Sequence, residues 1–216
     1  MGTSDPIETE QFTDRFNRLY GRFAKLDDLA VRWLPVWRNW LVHVLPHIHG
    51  PRVLEVSYGT GYLLTQYAHR YRVYGIDYNA QLSRIALINL RKAGLNASLQ
   101  RADVIHLPFP ADCFDTLVNT MAFSAYPDGE AAMSELHRVL KPTGRLLIID
   151  ICHPDDQNRL GMLLAKFWEA AGDILRDLGE LLDRFGFEYS EDEIGGSGSV
   201  HLFVATKTTG KLPSND

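Results

Sequence analysis

The chain has 216 residues, 45% of them apolar and 23% charged, with a formal net charge of −5. That length suits one domain with a single core, and the composition is that of an ordinary globular protein. The acidic balance argues against a nucleic-acid-binding surface, which needs clustered Lys and Arg, and no basic stripe with interleaved aromatics occurs. Cys113 and Cys152 lie far apart with no metal or redox spacing, so the expected location is the reducing cytoplasm. The first residues lack the apolar core of a secretory signal, and no apolar run approaches the roughly 20 residues of a membrane span.

Residues 8–24 and 27–45 predict two helices, the second with Trp33, Trp37, Trp40 and Val44 on one face and Pro35 early, where it interrupts least. Strands are predicted at 52–57, 72–77, 97–102, 115–120 and 144–151, alternating with helices at 61–69, 79–93 and 128–140. Such alternation predicts an α/β fold with a parallel sheet covered by helices on both faces. Gly94 ends the helical stretch at 79–93, and Gly144 marks the turn after Lys141-Pro142. Beyond Asp150 come helices at 155–171 and 173–185, then strands at 188–194 and 200–207 joined by a flexible Gly195–Ser199 segment. The expected organisation is one domain over 1–216: N-terminal helices to 47, a ligand-binding core over 50–151, a lid-like helix at 154–172, and a C-terminal helix and hairpin at 173–207.

The segment Val53-Leu-Glu-Val-Ser-Tyr-Gly-Thr-Gly61 carries the most information. It reads as a buried strand running into a small-residue turn and then a helix, with a second strand ending at Asp77. That is a nucleotide-type βαβ unit, in which the tight turn lets the backbone approach a ligand and the later carboxylate receives ribose hydroxyls. The dinucleotide fingerprint wants a third glycine where Leu64 stands and has no use for Glu55. An acidic residue two positions before a short Gly-x-Gly turn resembles instead motif I of the class I S-adenosylmethionine-dependent methyltransferases.

Further segments carry the same resemblance in the same order. Arg101-Ala-Asp-Val-Ile-His-Leu-Pro-Phe-Pro110 resembles the family's adenine-binding segment, and Phe114-Asp115 its entry into the fourth strand. Glu135 to Gly144 is similar to its Glu-x-x-Arg-Val-Leu-Lys-Pro-Gly-Gly segment. The subgroup resembled includes ubiquinone- and menaquinone-biosynthesis enzymes. The resemblance implies a Rossmann-like, seven-stranded, mostly parallel sheet of order 3-2-1-4-5-7-6 with the last strand antiparallel. It implies S-adenosyl-L-methionine as cofactor and a small-molecule acceptor. One departure stands out: Ser57 replaces the first motif glycine, and Tyr58 follows where a small residue is usual. Serine adds only a hydroxymethyl group, and the tyrosine ring can turn back into the protein.

The resemblance assigns roles residue by residue. Asp77, at an expected exposed strand end, takes the ribose hydroxyls, with Tyr78 beside it. Asp103 accepts from the adenine amino group, the Val104 amide meets a ring nitrogen, and Leu82 packs on the adenine face. Gly59 and Gly61 lie along the methionine portion, Asn119 offers its carbonyl to the amino group, and Glu55 orients these groups. Ser57 is counted with the cofactor-binding turn, its plain alternative being to fill that turn, and Tyr20 matches an element that closes over the cofactor, with Gly21 in place of the usual Asp. Asp77 and Asp103 also suit plain turn positions, but a Glu within an apolar strand needs partners.

Methyl transfer needs a general base only where the acceptor carries a proton to lose. His153, beyond the fifth strand, is the candidate, with His106 second. His47 and His49 lack a third ligand, so no metal is expected. The segments 8–45, 121–127 and 154–172 flank the acceptor position. Their Tyr20, Trp33, Trp37, Phe123, Tyr126, Phe167 and Trp168 suit a small apolar or aromatic acceptor. Two rival functions remain: a non-catalytic S-adenosylmethionine-binding scaffold, kept open by Ser57 and Tyr58, and a nicotinamide-dependent oxidoreductase.

Overall fold

The computed structural model describes residues 35–208, so the predicted helix at 8–24, Tyr20, Trp33 and the tail from 209 lie outside it. The chain separates into two compact units, Met1–Asn39 and Trp40–Asp216. The second unit holds a sheet of seven strands: β1 Arg52–Val56, β2 Arg72–Asp77, β3 Ser98–Arg101, β4 Phe114–Thr120, β5 Leu140–Ile151, β6 Phe187–Gly195 and β7 Val200–Lys207. Their order is β3-β2-β1-β4-β5-β7-β6, as the resemblance implied. The first five pair in parallel, whereas β7 runs antiparallel to both β5 and β6.

Helices are α1 Pro35–Leu41, α2 Leu64–Tyr67, α3 Ala80–Lys92, α4 Gly129–Val139, α5 Arg159–Ala171 and α6 Leu178–Arg184. Caps fix several starts: Asn79 accepts from the Gln81 and Leu82 amides, Asp128 from Ala131, Asn158 from Gly161 and Asp177 from Glu180. The central strands are apolar on both faces because helices cover both. Leu54, Val56, Leu117, Leu146 and Ile148 are buried with Met133, Leu136 and Val139 of α4, Leu182 of α6 and Phe203 of β7. The edge strand β6 is exposed from Glu188 to Glu193.

Several predicted elements differ: β5 begins at Leu140 rather than 144, and α5 at Arg159 rather than 155. The helix expected at 61–69 shrinks to α2, because Gly59 and Gly61, at φ of 55° and 72°, hold the preceding residues in a turn. Of the helix expected at 27–45, the part before Pro35 lies outside the described residues, and the rest is α1 and a 3-10 stretch, Val42–His47, which contains Pro46. The helix expected from 173 starts only at Leu178, since residues 173–177 bind the segment after β4 instead. The Ile174 amide donates to the Ser124 carbonyl at 2.7 Å, and Arg176 donates to the Tyr126 carbonyl at 2.6 Å. The Gly195–Ser199 segment is packed. Ser199 Oγ donates to the Gly196 carbonyl, Asn158 Nδ2 donates to that of Ser197, and a Cβ on Gly195 would collide with the Trp40 indole.

Lys207, whose side chain is 12% exposed, reaches from β7 to the end of α4 and donates to the His137 and Leu140 carbonyls at 2.8 and 2.7 Å. Those carbonyls lie where a helix runs out of intrahelical donors. Lys207→Met is expected to lower unfolding stability by roughly 1–2 kcal/mol, the usual effect of stranding buried acceptors. The check is a lower urea midpoint with the denaturant slope unchanged.

Candidate functional site

The sheet's parallel strands end on one side, and the motif residues gather there. After β1 the backbone turns through Ser57 (φ 58°), Gly59 (φ 55°) and Gly61 (φ 72°). The two glycines differ in surroundings. A Cβ on Gly59 would meet nothing within 4 Å, whereas one on Gly61 would lie 2.9 Å from the Ala86 Cβ of α3. Gly61 is therefore a packing glycine, and Gly59 borders open space.

Asp77 holds this turn. One carboxylate oxygen accepts the Gly59 amide at 2.8 Å, and the other accepts the Asn79 amide at 2.7 Å. The residue is 5% exposed, which corrects the exposed strand end expected from sequence: the turn folds over the carboxylate to supply its donors. Burial pushes the Asp77 carboxyl up to about 6, against the pull of the two amides.

Glu55 faces the turn from within β1 and is buried. Its carboxylate accepts from Tyr67 Oη of α2 at 2.7 Å. Burial raises its carboxyl to about 8; the tyrosine hydrogen bond opposes this and the charge of Asp77 adds to it. Tyr58 does turn inward: it is buried, its hydroxyl donates to Ser83 Oγ at 2.9 Å, and its ring occupies the space a Cβ on Gly75 would need. The bulky residue in the motif is thus accommodated by a glycine on the neighbouring strand.

Ser57 and Asn119 are linked through Tyr126. Ser57 Oγ and Asn119 Nδ2 each lie 2.7 Å from the Tyr126 hydroxyl. Asn119 is fully buried, and its Oδ1 has no hydrogen-bond partner among the described residues. A buried carbonyl oxygen left without a donor is uncommon and costly.

The remaining predicted residues sit around this centre. Asp103 caps its own turn, accepting the Ile105 amide at 3.2 Å, and its neighbour Ala102 donates to the Asp77 carbonyl at 3.3 Å. Val104 and Leu82 are buried, while Tyr78 is exposed with the Arg101 guanidinium 5.1 Å from its ring centre. His106 is exposed. His153 is exposed too, and its Nε2 lies 3.6 Å from Glu169 of α5 rather than against the turn. Of the acceptor-flanking aromatics, Phe123 is buried in the core, Tyr126 is tied into the Ser57 network, and Phe167 is 61% exposed. Sequence reasoning missed the parts played by Tyr67, Tyr126 and Gly75; nothing in their local patterns marks them.

Comparison with known proteins gives a likeness over part of the chain. Residues 54–148 match the family model described as "Methyltransferase domain". These residues, less than half of the chain, resemble a methyltransferase domain. The chain is 36% identical over 115 residues to phosphatidylethanolamine N-methyltransferase of Cereibacter sphaeroides, covering 52% of this chain and 56% of that protein. It is 28% identical to the ubiquinone/menaquinone biosynthesis C-methyltransferase UbiE of Shewanella sp. (strain ANA-3), covering 73% of this chain and 64% of that one. The chain thus spans less than two thirds of these relatives' lengths. Its fold is that of a SAM-dependent methyltransferase from Aquifex aeolicus, with a TM-score of 0.64, 24% identity, and 86% and 97% of the two chains covered. S-adenosylmethionine is the cofactor of the family.

The contrast between the two glycines is open to measurement. Gly59→Ala should fold with only the roughly 1 kcal/mol strain of a left-handed alanine but lose ligand affinity, whereas Gly61→Ala should be destabilised by about 2 kcal/mol or more. Thermal unfolding with and without S-adenosylhomocysteine separates the two effects. A second prediction concerns pH. Glu55 keeps its proton in the fold up to about 8 but loses it near 4.5 when unfolded, so its contribution is full below 4.5 and is lost as pH rises toward 8. Asp77 and Asp150, raised to about 6, lose theirs earlier. Between pH 6 and 8 the ligand-free parent should therefore lose stability that Glu55→Gln retains. Equal slopes in the two proteins would contradict the assignment.

Proposed function

We propose that the chain catalyses methyl transfer from S-adenosyl-L-methionine to a small, lipophilic acceptor. The observation that carries this reading is the pairing of open space over Gly59 with the unpartnered, buried Oδ1 of Asn119. Both suit a ligand with a polar, amine-bearing end lying along the turn. In this reading Asp77 takes the ribose hydroxyls with the lone pairs its two amide bonds leave unused. Asp103 and the Val104 amide meet the adenine edge, Leu82 lies on its face, and Tyr78 borders it. Gly59, Gly61 and Ser57 line the methionine portion, and Glu55 steadies the turn through Tyr67.

When bound, the cofactor supplies a methyl group already activated on a sulfonium, so the protein acts mainly by holding the acceptor in line and excluding water. A base matters only for an acceptor that must lose a proton. His153, at the carboxyl end of β5 and within 3.6 Å of Glu169, is the residue proposed for that role, ahead of His106. An apolar acceptor is favoured by Leu160, Leu163 and Phe167 of α5, which are 58%, 65% and 61% exposed. The two relatives named above act, by their names, on a phospholipid and on quinones, which fits the same class.

The nicotinamide reading loses support because Leu64, in place of a third glycine, is fully buried beneath the turn. The scaffold reading is separated by turnover. Calorimetric titration with S-adenosylmethionine, S-adenosylhomocysteine and NADH should show binding of the first two only. Radiolabelled methyl transfer should then appear with demethylated quinones or phosphatidylethanolamine vesicles. NADH binding alone would overturn the proposal, and cofactor binding without turnover on any acceptor would favour the scaffold. Asp77→Ala is expected to cost roughly 2–3 kcal/mol of S-adenosylhomocysteine affinity, the value of charge-assisted hydrogen bonds removed. Calorimetry on the refolded variant checks it.

A further inference from the structure

Hydrogen positions in the network around Tyr126 follow from chemistry alone. Asn119 Nδ2 lies 3.3 Å from the Val56 carbonyl oxygen and 2.7 Å from Tyr126 Oη. A carbonyl oxygen only accepts, so the amide must present its nitrogen there, and its oxygen is fixed on the other side. The nitrogen only donates, so Tyr126 Oη accepts from it and turns its own hydrogen to Ser57 Oγ, 2.7 Å away. Ser57 Oγ then keeps its own hydrogen, for which the described residues offer no acceptor. The chain of bonds runs one way. It leaves a free donor at Ser57 and a free acceptor at Asn119 Oδ1, just past and at the ends of the adjacent strands β1 and β4, where Val56 pairs with Asn119.

Tyr126 is built to stay in this place. Its hydroxyl is held neutral, because burial pushes its ionisation well above the usual phenol range. Arg176 donates to its carbonyl at 2.6 Å and to that of Pro127 at 3.1 Å, and its ring meets Phe123 edge-on at 5.5 Å. Ser57, at φ 58°, adopts a conformation in which glycine would be more at ease, so its hydroxyl is the property that distinguishes it there.

We propose that Tyr126 is a positioning residue that sets the Ser57 hydroxyl and the Asn119 carbonyl as a matched donor–acceptor pair for the α-amino-carboxylate end of the cofactor. The ligand's carboxylate accepts from Ser57 Oγ–H, and its ammonium donates to Asn119 Oδ1. A glycine at 57 supplies no such donor, so the serine is a specificity element of this chain. The inference rests on the cofactor reading given above.

The test compares S-adenosylhomocysteine with 5′-methylthioadenosine, which keeps the adenosine and thioether but lacks the amino-acid end. Calorimetry is run on the parent, Tyr126→Phe, Ser57→Gly and the double variant, with ligand-free thermal unfolding as the fold control. Each single variant should lose about tenfold in S-adenosylhomocysteine affinity, one hydrogen bond's worth. Methylthioadenosine affinity should hold within about twofold, which a merely structural tyrosine would not ensure. The double variant should lose less than the product of the single losses, because the residues act in series. Equal losses on both ligands, or unchanged S-adenosylhomocysteine affinity, overturns the inference. Should Tyr126→Phe fail to fold, Ser57→Gly decides the matter on the same two ligands. A parent that binds methylthioadenosine but not S-adenosylhomocysteine overturns this inference alone. A parent that binds neither overturns the cofactor reading as well.

Discussion

The buried carboxylate of Asp77 is the constraint on which the rest of the site depends. An ionised oxygen pair shut away from water must find donors, and here the donors are the backbone amides of Gly59 and Asn79. Meeting that demand ties the end of β2 to the turn after β1. The turn can oblige only by taking left-handed backbone at Ser57, Gly59 and Gly61. Once that shape is set, α2 begins late, Gly61 seats against Ala86, and Tyr58 is driven inward over Gly75.

A second consequence is the accumulation of desolvated acids at one end of the sheet. Glu55, Asp77 and Asp150 are all buried, and burial raises all three. Asp150 is satisfied by the Ser124 and Ile151 amides and the Ser124 hydroxyl, so each carboxylate has its own local partners rather than a basic side chain. Such a region favours a cationic ligand over an anionic one, and this agrees with a sulfonium cofactor.

Much of this fold is legible in the sequence, and the reason is periodicity. Short apolar runs such as Val53–Val56, broken only by Glu55, and Leu146–Ile149 read as strands covered on both faces, and the alternation with helical patterns points to a parallel sheet. The motif residues can be placed at strand ends for the same reason. What stays hidden involves partners distant in sequence. Lys207 caps α4 from nearly 70 residues away, Arg176 stretches what should be a helix start in order to hold the Tyr126 turn, and Gly75 makes room for Tyr58. Asp77 reads as exposed because a strand-end acid ordinarily is; only the folded turn shows what covers it. Tyr126 reads as one more aromatic, and its hydroxyl matters only because of where β1 and β4 end.

The outer strand β6 also limits how copies of this protein meet. A sheet that ends in an open strand offers unpaired amides and carbonyls to any similar strand. Here that strand reads Phe-Glu-Tyr-Ser-Glu-Asp-Glu-Ile-Gly, with Glu188, Asp192 and Glu193 turned to solvent. Two such strands laid side by side would bring rows of like charge together across a few ångströms. Repulsion of that kind guards the rim against self-templated stacking, and it strengthens as the salt concentration falls.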